Sequence, residues 1–229
     1  MIYHTVCDPL YFDRFFFDFY KSIKKYSPDS SVSIHYVGTI NELHKKFCDE
    51  NNILFSHEST TIEDLREQFK GVDDGNLLGY YPLARWFSIP LIDEDVCVCD
   101  VDLLAINPID ENLLKELLSK NNCVNITRVK PSGEIGGMML MCLNKNVLKN
   151  VKEFASSHKN KISHISIAED VKVRTFIYET CNPYHLNGKM LDVTKPKETD
   201  SGEWFVFSKG GQGETSIRKK EKIERFLNE

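Results

Sequence analysis

Long hydrophobic runs are missing from this sequence. No apolar stretch reaches the length of a membrane-spanning helix, so no such helix is expected. The opening residues, Met1-Ile2-Tyr3-His4, lack the basic start and apolar stretch of a signal peptide, and the expected location is the cytoplasm. The seven cysteines lack order: their number is odd, their spacings are irregular, and none shows the four-ligand spacing of a thiolate zinc site. Reduced thiols are therefore expected. The seven histidines form no His-x-x-x-His pair. Internal repeats and low-complexity linkers are absent as well. Excess positive charge is missing too: the net charge is -5, which argues against broad electrostatic attraction to nucleic acid. A local basic site that holds a phosphate remains compatible with that balance.

What is present is a chain of 229 residues, 41% hydrophobic and 28% charged, which suits one soluble globular domain with a real core. Ile2 to Cys7 reads as a strand that stops at Asp8-Pro9. From Asp13 to Tyr26, Phe16, Phe19, Tyr20 and Ile23 recur at helical spacing. Val32 to Val37 is a second strand, with Val32, Ile34 and Tyr36 on one face. A helix over Glu42 to Glu50 and a strand over Ile53 to Ser56 follow. This alternation predicts an α/β fold with a parallel sheet. Thr61 to Lys70 reads as a polar helix and Gly71 to Gly79 as a loop. Pro82 opens a helix that Pro90 ends. Val96 to Asp100 is a strand running straight into Asp102. Later helices are expected over Glu111 to Leu118, Asn146 to Ser156 and Glu169 to Tyr178. Later strands are expected over Cys123 to Thr127, Met138 to Leu143 and Trp204 to Phe207.

The chemistry concentrates at Cys97-Val98-Cys99-Asp100-Val101-Asp102. Alternation along a strand sends Asp100 and Asp102 the same way and Val101 back to the core. Two carboxylates side by side repel each other unless a cation sits between them. Hard oxygen ligands suit Mn2+ or Mg2+, above all beside a diphosphate. The carboxyl end of a parallel strand is also where α/β sheets place their ligands. The plain alternative is a pair of solvated turn residues. Cys97 and Cys99 share the other face, together with Cys123 on a neighbouring strand, as small buried hydrophobes.

Tyr81-Pro82-Leu83-Ala84-Arg85-Trp86-Phe87-Ser88-Ile89-Pro90-Leu91-Ile92, then Val96 to Asp102, then Asn107-Pro108-Ile109, resembles the heart of glycosyltransferase family 8 and its GT-A relatives. The resemblance is strong over residues 80 to 110 and looser over the rest. It implies a GT-A fold, a Rossmann-like layout with a mixed, mainly parallel sheet flanked by helices. It also implies a single domain over residues 1–229, with a nucleotide-binding half over about 1–104 and an acceptor-binding half over about 105–229. Asp100 matches the first carboxylate of the family motif, which reaches the ribose and the metal. Asp102 matches the second, a direct metal ligand. Arg85 matches the helix arginine near the nucleotide-sugar; its plain reading is a surface ion pair. The backbone at Val6, Cys7 and Asp8 matches the place where base and ribose sit.

Three further segments carry the resemblance with departures. Glu134 to Leu140 resembles the segment that reads aromatic-Asn-Ala-Gly in the family: Gly137 fits, but Ile135 stands where asparagine is expected. Glu169-Asp170 opens a helix, where carboxylates are favoured by the macrodipole. The pair also resembles the acceptor-side catalytic Glu-Asp of inverting GT-A enzymes, whereas family 8 retains configuration. Phe207 to Gly213 resembles the family's late loop. Lys209 is placed to meet the diphosphate, but the histidine that serves as third metal ligand is missing.

The function this implies is a metal-dependent glycosyltransferase. It would move a sugar from a nucleoside diphosphate sugar, with a UDP-sugar favoured, to a hydroxyl of a glycan or lipid-linked acceptor. One rival is a nucleotidyltransferase, which normally carries a glycine-rich phosphate loop after the first strand; this chain has Cys7-Asp8-Pro9-Leu10 there. The other is a non-catalytic nucleotide-sugar binding module.

Overall fold

The computed structural model describes residues 1–126, 140–162, 168–186, 189 and 204–207. The first half comprises β1 (Ile2–Cys7), α1 (Pro9–Tyr11), a π-helical turn (Phe12–Phe16), α2 (Phe17–Tyr26), β2 (Ser31–Val37), α3 (Glu42–Glu50) and β3 (Leu54–Glu58). Then come α4 (Ile62–Gln68), α5 (Asp74–Leu77), α6 (Tyr80–Phe87), β4 (Val96–Cys99) and β5 (Leu103–Ala105). The second half adds α7 (Glu111–Asn121), β6 (Cys123–Asn125), β7 (Leu140–Leu143), α8 (Leu148–Ser156), α9 (Ala168–Cys181), β8 (Tyr184–His185) and β9 (Phe205–Phe207).

Seven strands form one sheet in the order β3-β2-β1-β4-β7-β6-β8. β1 to β4 run parallel, as the alternation of strands and helices predicts. β7 enters antiparallel between β4 and β6 and makes the sheet mixed. β5 and β9 form a separate antiparallel pair, with Leu103 opposite Phe207.

Helices cover both faces, so the central strands bury both sets of alternating side chains. On one face Tyr3, Val32, Ile34, Tyr36, Cys97 and Cys99 pack with Phe16, Phe19 and Ile23 of the helical segment after β1 and with Leu114 and Leu118 of α7. On the other, Ile2, Val96, Val98, Met141 and Leu143 pack with α6, α8 and α9. Gly38 turns the chain at the end of β2 with φ of 112°, a conformation that favours glycine.

Several expectations need correction. The helix read from Asp13 begins at Pro9, because Asp8 caps it: its carboxylate accepts from the Tyr11 N–H at 2.7 Å. The segment read as a loop from Gly71 contains the short α5. The strand read to Asp100 stops at Cys99, and a turn follows in which the Leu103 N–H reaches Asp100 O at 3.2 Å. Cys123 lies on the opposite face from Cys97 and Cys99. Against the expectation of reduced thiols, Cys97 is joined to Cys142 in a disulfide. The two are direct partners across β4 and β7. That register is invisible in cysteine spacing alone. The other five cysteines are free and buried.

One buried polar group ties the sheet to α6. The His4 ring sits 3.0 Å from Ser33 Oγ on β2 and 3.0 Å from Ser88 Oγ beyond α6. Ser88 spends its hydroxyl proton on Ala84 O, so the neutral ring donates from Nε2 and accepts at Nδ1. Burial, with the His35 ring nearby, pushes the His4 pKa down to about 3. Below about pH 6.5 the unfolded chain therefore takes up a proton that the folded chain refuses until about pH 3. Stability from this group is full above that window and falls as pH drops through it, by up to roughly 1.4 kcal/mol per pH unit. Urea midpoints measured between about pH 6 and 4 should fall less steeply in His4→Gln than in the wild type. Equal slopes would show that His4 does not resist protonation.

Candidate functional site

The site assembles at the carboxyl ends of β1 and β4. Cys7 ends β1 in full burial. Burial, with Asp8 nearby, pushes its thiol well up, so it stays neutral and offers a ligand only its backbone. The Asp8 carboxylate is engaged in capping α1, as described above. Tyr81 at the start of α6 closes on the same corner. Its hydroxyl is pushed up to about 12, first by burial and then by the charges of Asp8 and other neighbours.

Arg85 is the hub. It projects from the last turn of α6 and is 2% exposed, which is low for a residue type normally found at the surface. Its Nη1 donates to Asp100 Oδ1, and its Nη2 donates to Asp170 Oδ1 at 3.1 Å. Burial opposes the charge on Arg85, but Asp100 and Asp170 outweigh it and hold the guanidinium firmly protonated. The expected alternative of a surface ion pair does not describe this group.

Asp170 stands in the first turn of α9, 1% exposed. Its Oδ1 also accepts from Trp86 Nε1 at 2.6 Å, and its Oδ2 pairs with Arg174 Nε at 3.0 Å. Glu169 turns away toward α8. Its Oε1 accepts from Lys172 at 2.7 Å, and its Oε2 lies 3.9 Å from His158 Nε2. That second oxygen has no hydrogen-bond partner among the described residues.

Of the residues singled out in the sequence, Arg85, Asp100 and Asp170 are brought into direct contact. Asp102 lies two residues along the same turn, 7% exposed, while Asp100 keeps a quarter of its side chain open. Gly137 and Lys209 lie outside the described residues. Phe207, however, pairs with Leu103, the residue after Asp102. Trp86 and Arg174 were missed. Arg174 was legible as the i+4 partner of Asp170 on one helix face.

By donor chemistry alone, Asp100 and Asp102 are the residues that would hold a divalent cation. Mg2+ and Mn2+ favour oxygen ligands, and Mg2+ is commonly held by one or two carboxylates plus substrate phosphates and water. Asp100 and Asp102 supply two carboxylates, and no group of three His, Cys, Asp or Glu side chains gathers among the described residues. An apolar groove of about 250 Å³ between α8 and α9, lined by Phe154, His158, Lys172 and Phe176 among others, contains none of these site residues.

Solved structures share the fold of the chain. The galactosyltransferase LgtC, determined in complex with donor and acceptor sugar analogues, superposes with a TM-score of 0.61 at 13% identity, covering 100% of this chain and 95% of LgtC. The fold is that of a GT-A glycosyltransferase. The apo-form glycosyltransferase GlyE of Streptococcus pneumoniae TIGR4 shares this GT-A fold at a TM-score of 0.60 and 9% identity, over 99% of this chain and 62% of GlyE. S. aureus TarS, residues 1-349 in complex with UDP, does so at 0.53 and 11%, over 99% of this chain and 64% of that one. No family profile and no curated protein sequence matches the chain. Within the described residues, no helix is long and apolar enough to cross a membrane.

Proposed function

We propose that this chain is a glycosyltransferase that takes a sugar from a nucleoside diphosphate sugar, a UDP-sugar being favoured, and passes it to a hydroxyl of a glycan or lipid-linked acceptor. The observation that carries the reading is the buried Arg85 held against Asp100 at the end of β4 in a GT-A fold. LgtC binds donor and acceptor analogues and TarS binds UDP, which supports the substrate class.

In this reading Asp100 and Asp102 would hold Mn2+ or Mg2+, which when bound neutralises charge on the leaving diphosphate. The chain's own residues do the rest. Backbone groups at Cys7 and Asp8 receive the nucleoside. Arg85 adds a fixed positive charge beside the donor, where burial makes it worth more than in water. Its pairing to Asp100 also orients that carboxylate before any ligand arrives. The start of α9 meets that arginine through Asp170, while Glu169 pairs with Lys172.

Thermal shift with UDP-, GDP- and dTDP-sugars, with and without manganese, tests this reading. A UDP-sugar should raise the melting temperature with manganese and little without it. No shift with any donor would sink the proposal. Lys209→Ala should lower transfer or donor hydrolysis about tenfold while leaving uridine affinity unchanged, as loss of one diphosphate contact would. Full turnover in that variant would remove Lys209 from the site.

A protein of Bacillus anthracis described as a glucose-1-phosphate thymidylyltransferase shares the fold at a TM-score of 0.50 and 8% identity, so a nucleotidyltransferase is the second reading. The segment after β1 speaks against it. Asp8 caps a helix that starts at Pro9, and no glycine lies where a phosphate loop would need one. Donor hydrolysis in the presence of manganese separates an enzyme from a binding module.

A further inference from the structure

Two carboxylates at the start of α9 were candidates for one task, proton transfer near the acceptor. Their surroundings divide them. Asp170 accepts from Arg85 Nη2 and Trp86 Nε1 through one oxygen and pairs with Arg174 through the other. One oxygen of this carboxylate is thus shared by two donors and the other lies against a guanidinium, and at 1% exposure it is poorly placed to take a proton from an incoming hydroxyl. Glu169, by contrast, leaves one oxygen without a hydrogen bond among the described residues.

We propose that Asp170 is a positioning residue: with Trp86 and Arg174 it locks Arg85 onto Asp100, and it does not act as the catalytic base. The inference rests on the proposed donor site for its functional consequence but not for its geometry.

Arg85 has two charged partners, and they compete for its orientation. Asp100 is a quarter exposed and water can claim it, whereas Asp170 is enclosed. The enclosed partner fixes the plane of the guanidinium, and the open one receives what remains. Arg174 completes the arrangement from the far side, because it holds Asp170 in place and offsets its charge. Trp86 is the residue next to Arg85, and its indole N–H prevents rotation of Asp170 Oδ1 away from α6. A long, flexible side chain is thereby held in one conformer before the donor binds, which is what preorganisation requires.

The test uses Asp170→Asn in the full chain, and it has two arms. The first is a crystal structure of the variant without ligands. Asparagine loses the charge that fixes the guanidinium plane and presents an N–H₂ to Arg174 in place of an oxygen, so Arg85 should turn out of its wild-type orientation on Asp100. Arg85 still seated on Asp100 as in the wild type would overturn the proposal, whatever the protein binds. The second arm is calorimetry with UDP and manganese chloride beside UDP-glucose hydrolysis. UDP affinity should fall about tenfold and kcat should fall by less, the pattern expected when an orienting partner is lost. A kcat loss of roughly a thousandfold with unchanged UDP affinity would mark Asp170 as the base instead. If Asp170→Asn does not fold, Arg174→Met takes its place in both arms, because it frees Asp170 while leaving the carboxylate. It should weaken UDP binding with kcat retained, and unchanged UDP binding would overturn the clamp. A wild type that binds no UDP would sink the donor reading alone, since the crystallographic arm still decides the clamp.

Discussion

Asp102→Asn should cut manganese-dependent UDP affinity by about a hundredfold or more while the protein still folds. Partners one shell removed from a metal cost roughly 10–100-fold when lost, so a direct ligand should reach the top of that range. Asn keeps the shape and one oxygen but loses the charge, which is the larger part of what a hard cation seeks. The fold should survive because Asp102 sits in a turn outside the strands. Calorimetry with UDP and manganese, with EDTA as control, makes the measurement. Equal affinity in variant and wild type would show that Asp102 is not a ligand.

Arg85→Ala should destabilise the protein by about 3 kcal/mol, because removing one partner of a buried ion pair leaves a charge uncompensated. The estimate sits at the lower end of the usual range for two reasons visible in the structure. Asp170 keeps Trp86 and Arg174, and Asp100 is open enough to be rehydrated. In a chain of this length, such a loss lowers the melting temperature by roughly 6–12 °C. Arg85→Met, which refills the volume, should cost less than alanine if packing of the side-chain stem contributes. Urea titration gives both values. A loss below about 1 kcal/mol would mean that the pair behaves as a solvated surface bridge.

The parallel half of the sheet was legible because its strands carry their own signals. Ile2 to Cys7 was read with the bounds the structure shows, and Val32, Ile34 and Tyr36 were assigned to one face, where they pack together. The helix bearing Arg85 and the strand before Asp100 were legible for the same reason, apolar patterning bounded by proline and aspartate. What the sequence concealed depends on contacts between distant segments. β5 is three residues long, too short to show a period, and its partner is β9. The Cys97–Cys142 pairing follows from register across β4 and β7. The placing of Asp170 between two arginines depends on how α9 meets α6, and each helix alone gives only a plausible cap and a plausible exposed arginine. The strand-alternation argument for Asp100 and Asp102 assumed the wrong geometry, since a turn begins at Asp100.

The β5–β9 pair sets an order of assembly. Leu103 emerges during synthesis directly after the two carboxylates, but Phe207 emerges about a hundred residues later. β1 to β4 are parallel neighbours whose residues are all made before that point. The nascent chain can thus hold β1 to β4 while β5, next to the carboxylate turn, still lacks its partner. Closing that long loop is entropically slow. Binding competence should therefore trail behind secondary structure on refolding from urea, with UDP recognition returning in a later kinetic phase than the far-ultraviolet signal.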